Sequence, residues 1–223
     1  MQTDVFYSYR FDFEEVRPGI EDIKLFLKSD NFEENHPANI AIREIMLSLA
    51  DNKDVSGGYI IKKAETINLS TGAQIAGYLK KAEYLALFVC TAGALFTELT
   101  GKYNKEGNYL EAFIVDAIGS FTVEKAMDKI QTKLEFEMQK EGMNISNRYS
   151  PGYCEWPVSF QRELFDYMGE LPVEISLTES CLMLPIKSVS GVIGIGSKIQ
   201  KRPYSCQICK NKECSYRRII QST

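Results

Sequence analysis

The chain has 223 residues, 44% of them hydrophobic and 25% charged, which is the composition of an ordinary globular protein long enough to bury a core. Its 26 basic and 30 acidic side chains leave a net charge of −4, the wrong sign for a dedicated nucleic-acid binder. No run of 18 apolar residues predicts a membrane span, and the N-terminus lacks a signal-peptide pattern, so a cytoplasmic protein is expected.

The first ten residues alternate aromatic and polar side chains, as an edge strand does. Residues 35–50 open with Asn35-His36-Pro37 and continue with Ile40, Ile42, Ile45, Met46 and Leu49, which predicts a helix with proline just inside its start. Gly57-Gly58 predict a turn before a short strand at Tyr59–Ile61. A helix near Ala73–Lys81 and a strand from Tyr84 to Cys90 follow. From about Tyr109 to Gln139, apolar residues recur at helical spacing, predicting one long, central amphipathic helix. Residues 143–157 hold many Asn, Ser, Pro and Gly and read as a loop. A short helix at Phe160–Met168 precedes two strands, Val173–Leu184 and Ser188–Gly196, broken by Pro185. Strands at both ends with helices grouped between them predict an α+β fold.

A single histidine, His36, excludes a multi-histidine metal centre and leaves a Ser-His-Asp triad or Cys-His pair dependent on one residue at a helix start. Its simpler role is a helix cap. Gly191-x-x-Gly194-x-Gly196 has the wrong glycine order for a dinucleotide fingerprint and reads as strand glycines that admit close backbone approach. Asp116, Ser120, Glu124 and Asp128, four apart, form one polar stripe on the long helix. It is either a solvated face or a set of carboxylates turned toward a cationic ligand.

Cys90, in an apolar run, is expected to be a buried hydrophobe. Cys206, Cys209 and Cys214 crowd into nine residues near the C-terminus. Three thiolates there point to zinc or an iron–sulfur cluster, with Cys154 or Cys181 as a candidate fourth ligand; the alternatives are reactive thiols or no special role.

The segment Arg148-Tyr149-Ser150-Pro151-Gly152-Tyr153-Cys154-Glu155-Trp156-Pro157 gathers a guanidinium fork, aromatic faces and a glycine. Those are groups for a carboxylate, a base or cation, and close backbone approach, respectively; the alternative is a purely structural aromatic turn.

Arg148-x-Ser150-Pro151-Gly152-Tyr153, followed by Leu177-Thr178-Glu179-Ser180 and Pro185-x-Lys187-Ser188-Val189-Ser190-Gly191, resembles the activation domain of cobalamin-dependent methionine synthase. Asp116-Ala-Ile-Gly-Ser120 with Glu124 resembles the helix that precedes those blocks, so the resemblance covers about residues 80–196. It implies a twisted antiparallel sheet flanked by helices and a shallow groove for S-adenosylmethionine. It further implies that Arg148 holds the ligand's carboxylate, Ser150 and Gly152 give backbone contacts, Tyr153 lines the adenosine or methionine part, and Glu124 is an acidic binding position. A second acidic position falls near Gly142 and is met by Glu141 with a one-residue shift.

In the family, an electron from flavodoxin or a similar donor and the methyl group of S-adenosylmethionine return oxidised cob(II)alamin to methylcobalamin. That task needs positioning of the methyl carbon rather than a base or nucleophile from the protein. An aspartate near the start of the family's domain and a histidine- and tyrosine-containing segment after Gly191 have no match here. Without substrate- or cobalamin-binding modules, the chain reads as a stand-alone activation-like domain at 1–200 with a cysteine-rich tail at 201–223. It would act in trans on methionine synthase or another corrinoid protein, as part of a methyltransferase system rather than as a complete enzyme. The alternative is a non-catalytic docking or electron-delivery module carrying a metal on its cysteines.

Overall fold

A computed structural model describes residues 1–27, 35–153 and 156–202. Five strands form one antiparallel sheet in the order β1-β2-β3-β7-β4: β1 Phe6–Phe11, β2 Val55–Lys63, β3 Tyr84–Thr91, β4 Asn144–Tyr149 and β7 Ser188–Gly196. The short strands β5 Ser176–Leu177 and β6 Met183–Leu184 pair separately. The helices are α1 Phe13–Val16, α2 Ile20–Phe26, α3 Pro37–Ser48, α4 Gly72–Leu79, α5 Leu95–Glu106, α6 Tyr109–Lys140 and α7 Gln161–Met168. The α+β expectation holds.

Alternation along the strands separates two cores. Tyr59, Ala86, Phe88, Cys90, Ile193 and Ile195 face the first, which α6, α3, α1 and α2 cover. Ile60, Leu87, Val89 and Val192 face the second, closed by Ile75 of α4, Leu164 and Met168 of α7, and Trp156. The α6 helix, 32 residues and about 48 Å long at 1.5 Å per residue, is the principal cover of the first face. Ile114, Ile118, Met127, Ile130 and Leu134 form its buried stripe, as the periodicity predicts, while Leu110 and Phe113 are exposed.

Gly57 and Gly58 lie inside β2, not in a turn. A Cβ on Gly58 would stand 2.0 Å from the Tyr7 carbonyl, and one on Gly57 2.7 Å from the Val89 carbonyl. These glycines therefore admit neighbouring strands rather than bend the chain. The 143–157 region is not all loop, because β4 occupies its first half. Val173–Leu184 is not one strand; only Ser176–Leu177 and Met183–Leu184 within it pair, as a hairpin. The α5 helix follows from Leu95, Phe96, Leu99 and Tyr103 at helical spacing, a signal the sequence reading passed over. Gly107, at φ +79°, ends α5 and turns the chain into α6.

His36 caps α3, its Nδ1 accepting the Ala38 amide at 3.2 Å. Cys90 is fully buried, and burial pushes its thiol up to about 12, so it packs as a hydrophobe. No helix among the described residues is long and apolar enough to cross a membrane.

Candidate functional site

The two sequence blocks that stand 39 residues apart at Tyr149 and Ser188 run side by side as β4 and β7. Their pairing is interrupted: Ile145 faces Ile195, but Arg148 faces Ile193, so β4 carries one extra residue. This β-bulge decides where Arg148 points. Three positions after Ile145, a regular strand would send it to the opposite face. With the bulge, Ile145 enters the first core and Arg148 reaches α6 on the same side.

The bulge is held locally. Ser146 Oγ accepts the Gly194 amide at 2.8 Å and donates to the Asn147 carbonyl at 2.7 Å. Asn147 in turn exchanges two hydrogen bonds with the Arg202 backbone, at 2.7 and 3.0 Å. Ser146 is buried, so its hydroxyl serves in place of an interrupted ladder bond.

Arg148 Nη2 meets Asp128 at 2.7 Å and Glu124 at 3.3 Å, two carboxylates one helical turn apart on α6. Arg148 Nη1 is shielded from water and has no acceptor among the described residues. Desolvation raises the Glu124 carboxyl above its ordinary range, against the Arg148 charge and with the Asp128 charge. One turn earlier on the same stripe, Lys187 Nζ meets Asp116 at 2.6 Å and Ser120 Oγ at 3.0 Å. The Lys187 stem crosses Gly119, where a Cβ would stand 2.9 Å from Lys187 Cγ. The stripe is therefore neither a bare solvated face nor an empty cation site, since two cations of the chain itself lie on it.

Beyond β4, Ser150 lies over Gly191, where a Cβ would meet the Tyr149 carbonyl at 2.2 Å and Ser150 Oγ at 2.9 Å. Gly152 adopts φ +93° with open space around it, so backbone conformation rather than crowding demands glycine. Its amide donates to the Trp156 carbonyl at 2.6 Å, and the adjacent Tyr153 is 69% exposed. Trp156 offers no face to a ligand; it is 1% exposed and fills the second core. The Leu177–Ser180 block forms the β5–β6 turn, where Arg162 of α7 donates to the Thr178 and Glu179 carbonyls at 3.2 and 3.3 Å.

Arg148 and Glu124 are thus brought together across β4 and α6, and Ser150, Gly152 and Tyr153 follow directly after the β4 edge strand. Glu141 does not join them. It caps α6 thirteen residues beyond Asp128, about 20 Å along the helix, and binds the N-terminal ammonium at 2.8 Å. Cys206, Cys209, Cys214 and Cys154 lie outside the described residues. Cys181 is buried at φ +64°, its Sγ 3.8 Å from Arg162 Nη2. Among the described residues no cluster of His, Cys, Asp or Glu forms a metal site. Two open concavities lie elsewhere, one beside Lys62 and Tyr167 and one along α5, and neither includes Arg148.

The family model described as "Vitamin B12 dependent methionine synthase, activation domain" matches residues 59–218. The chain belongs to this family. Among solved structures, the fold is similar to the "Crystal Structure of the MetH Reactivation Domain bound to AdoHcy". That likeness has a TM-score of 0.57 at 15% identity and covers 91% of this chain and 81% of the other. No curated protein sequence matches. Within this activation-domain member, the matched region takes in β3, α6, β4 and β7, and so every element that carries the Arg148 group.

Proposed function

We propose that this activation-domain protein binds S-adenosylmethionine in the groove between α6 and the β4–Trp156 turn, and presents its methyl group to a cobalamin-carrying methionine synthase in trans. The observation that carries the reading is Arg148 Nη1, a guanidinium nitrogen removed from water and lacking an acceptor among the described residues. Leaving such a group unsatisfied costs about 1–3 kcal/mol, and a ligand carboxylate would relieve that cost. The solved relative is bound to AdoHcy, the product that S-adenosylmethionine becomes on losing its methyl group.

Arg148 takes the carboxylate, and Glu124 on the facing helix takes the ligand's cationic part. The turn at Ser150–Gly152 offers backbone groups, and Tyr153 lies against the adenosine or methionine moiety. The chain contributes orientation and no proton transfer, because a sulfonium is already activated toward a nucleophile. A partner's cobalamin, once reduced by one electron from a flavodoxin-like donor, would supply that nucleophile and release AdoHcy with the carbon–sulfur electron pair on sulfur; the part of this chain is to hold the methyl carbon toward it. Cys90 and Cys181 are free thiols, in keeping with a reducing, cytoplasmic setting.

Calorimetric titration of the purified chain with S-adenosylmethionine tests the reading. Saturable binding is expected, and Arg148→Ala should weaken it by about 1.5–3 kcal/mol, the worth of a hydrogen bond to a charged group. Absence of binding, or unchanged affinity in the variant, overturns the assignment.

A further inference from the structure

Resting on the reading of Arg148 as the carboxylate-binding group, we propose that Asp128 is a positioning residue that fixes the plane of the Arg148 guanidinium for a carboxylate ligand. The two residues come from different layers, Arg148 from the bulged edge strand and Asp128 from α6. Their contact, 2.7 Å from Nη2 to Oδ1, is the shorter of the two that hold the fork. A guanidinium on a long flexible stem is oriented chiefly by its charge-assisted partners, since the plane of the fork follows the carboxylate it donates to.

The division of labour between the two carboxylates follows from their surroundings. Glu124 is the more desolvated, sits 3.3 Å from the same nitrogen, and is the acid available to a cationic ligand group. Asp128, 63% exposed, lies on the outer side of the fork. When Glu124 engages a ligand, Asp128 is the anion that still holds Nη2. The guanidinium then keeps Nη1, the nitrogen without an acceptor, in place for the incoming carboxylate. Lys187 engages Asp116 and Ser120, at the other end of the stripe from Asp128.

The experiment compares the full chain with Asp128→Asn and Asp128→Glu, using S-adenosylmethionine and its decarboxylated analogue, which keeps the sulfonium and amine but lacks the carboxylate. Asp128→Asn should weaken S-adenosylmethionine about tenfold, the usual scale for losing a group that orients a binding side chain. Its affinity for the decarboxylated analogue should match that of the parent chain, and Asp128→Glu should recover most of the loss. Equal or tighter binding of S-adenosylmethionine by Asp128→Asn overturns the proposal, as does equal weakening of both ligands, which marks a general structural role. If Arg148→Ala binds S-adenosylmethionine like the parent chain, the reading of Arg148 itself fails, and the proposal with it. Unchanged thermal midpoints confirm that the exposed Asp128 site tolerates both substitutions.

Discussion

The buried hydroxyl of Ser146 accepts the amide of Gly194 at 2.8 Å, at the point where β4 takes its extra residue against β7. One side-chain bond thus stabilises the irregularity that turns Arg148 toward α6. Ser146→Ala leaves the Gly194 N–H buried without its partner and should destabilise the fold by about 1–3 kcal/mol. Urea denaturation measures that loss. S-adenosylmethionine affinity should fall as well, because a relaxed bulge no longer aims the guanidinium.

Gly191 stands where β7 passes closest to β4 and the Ser150 turn. A methyl group there would meet the Tyr149 carbonyl at 2.2 Å and the Phe88 ring at 2.8 Å. Backbone cannot move aside as a side-chain end can, so Gly191→Ala should cost about 3 kcal/mol, the upper part of the range for overpacked sites. A lowered denaturation midpoint with an unchanged slope would identify the effect as one on stability alone.

Burial drives the Glu124 carboxyl above its usual value of 4.5; the Arg148 charge opposes the shift and the Asp128 charge adds to it. The folded chain then holds a proton that the unfolded chain has released. In the window between the unfolded and the raised value, this group's contribution to stability declines as pH rises. Glu124→Gln should flatten that part of the stability profile, measured by denaturation between pH 4 and neutrality, about the span in which a raised carboxyl titrates. Ligand affinity should run the other way in the parent chain, falling as acid protonates Glu124. A profile identical in the two proteins would contradict the assignment.

Trp156, the single tryptophan, reports on the second core rather than on the ligand. Its emission should be blue-shifted in the folded chain and shift to the red on denaturation. Trp156→Ala should cost about 3–5 kcal/mol, as for other large buried aromatics. Saturation with S-adenosylmethionine should leave the emission maximum in place, which a steady-state titration checks; a shift would bring the indole into the groove.

Much of the architecture is legible in the residue order. The periodicity of α6, the proline-led start of α3 and the apolar runs of β3 and β7 arise from local spacing, which records which side of an element is buried. The motif around Arg148 and Gly152 marks the proposed site for a related reason: a positive φ and a guanidinium beside it are written in residue type. The signals that misled were those whose meaning depends on a distant strand. Gly57-Gly58 has the composition of a turn, and only the approach of Tyr7 and Val89 makes it strand interior. Asn144–Tyr149 is polar enough for a loop, yet β7 supplies the missing hydrogen-bond partners.

The sequence by itself determined the α+β pattern, the buried helix stripe and the residue types of the proposed site, because each follows from short-range periodicity and chemistry. Only the tertiary structure decided that Arg148 shares a face with Glu124 and Asp128, that Lys187 lies on Asp116 and Ser120, and that Trp156 belongs to the core. Those relations join residues 20 or more positions apart, and a one-residue change of register in β4 would reverse the first of them.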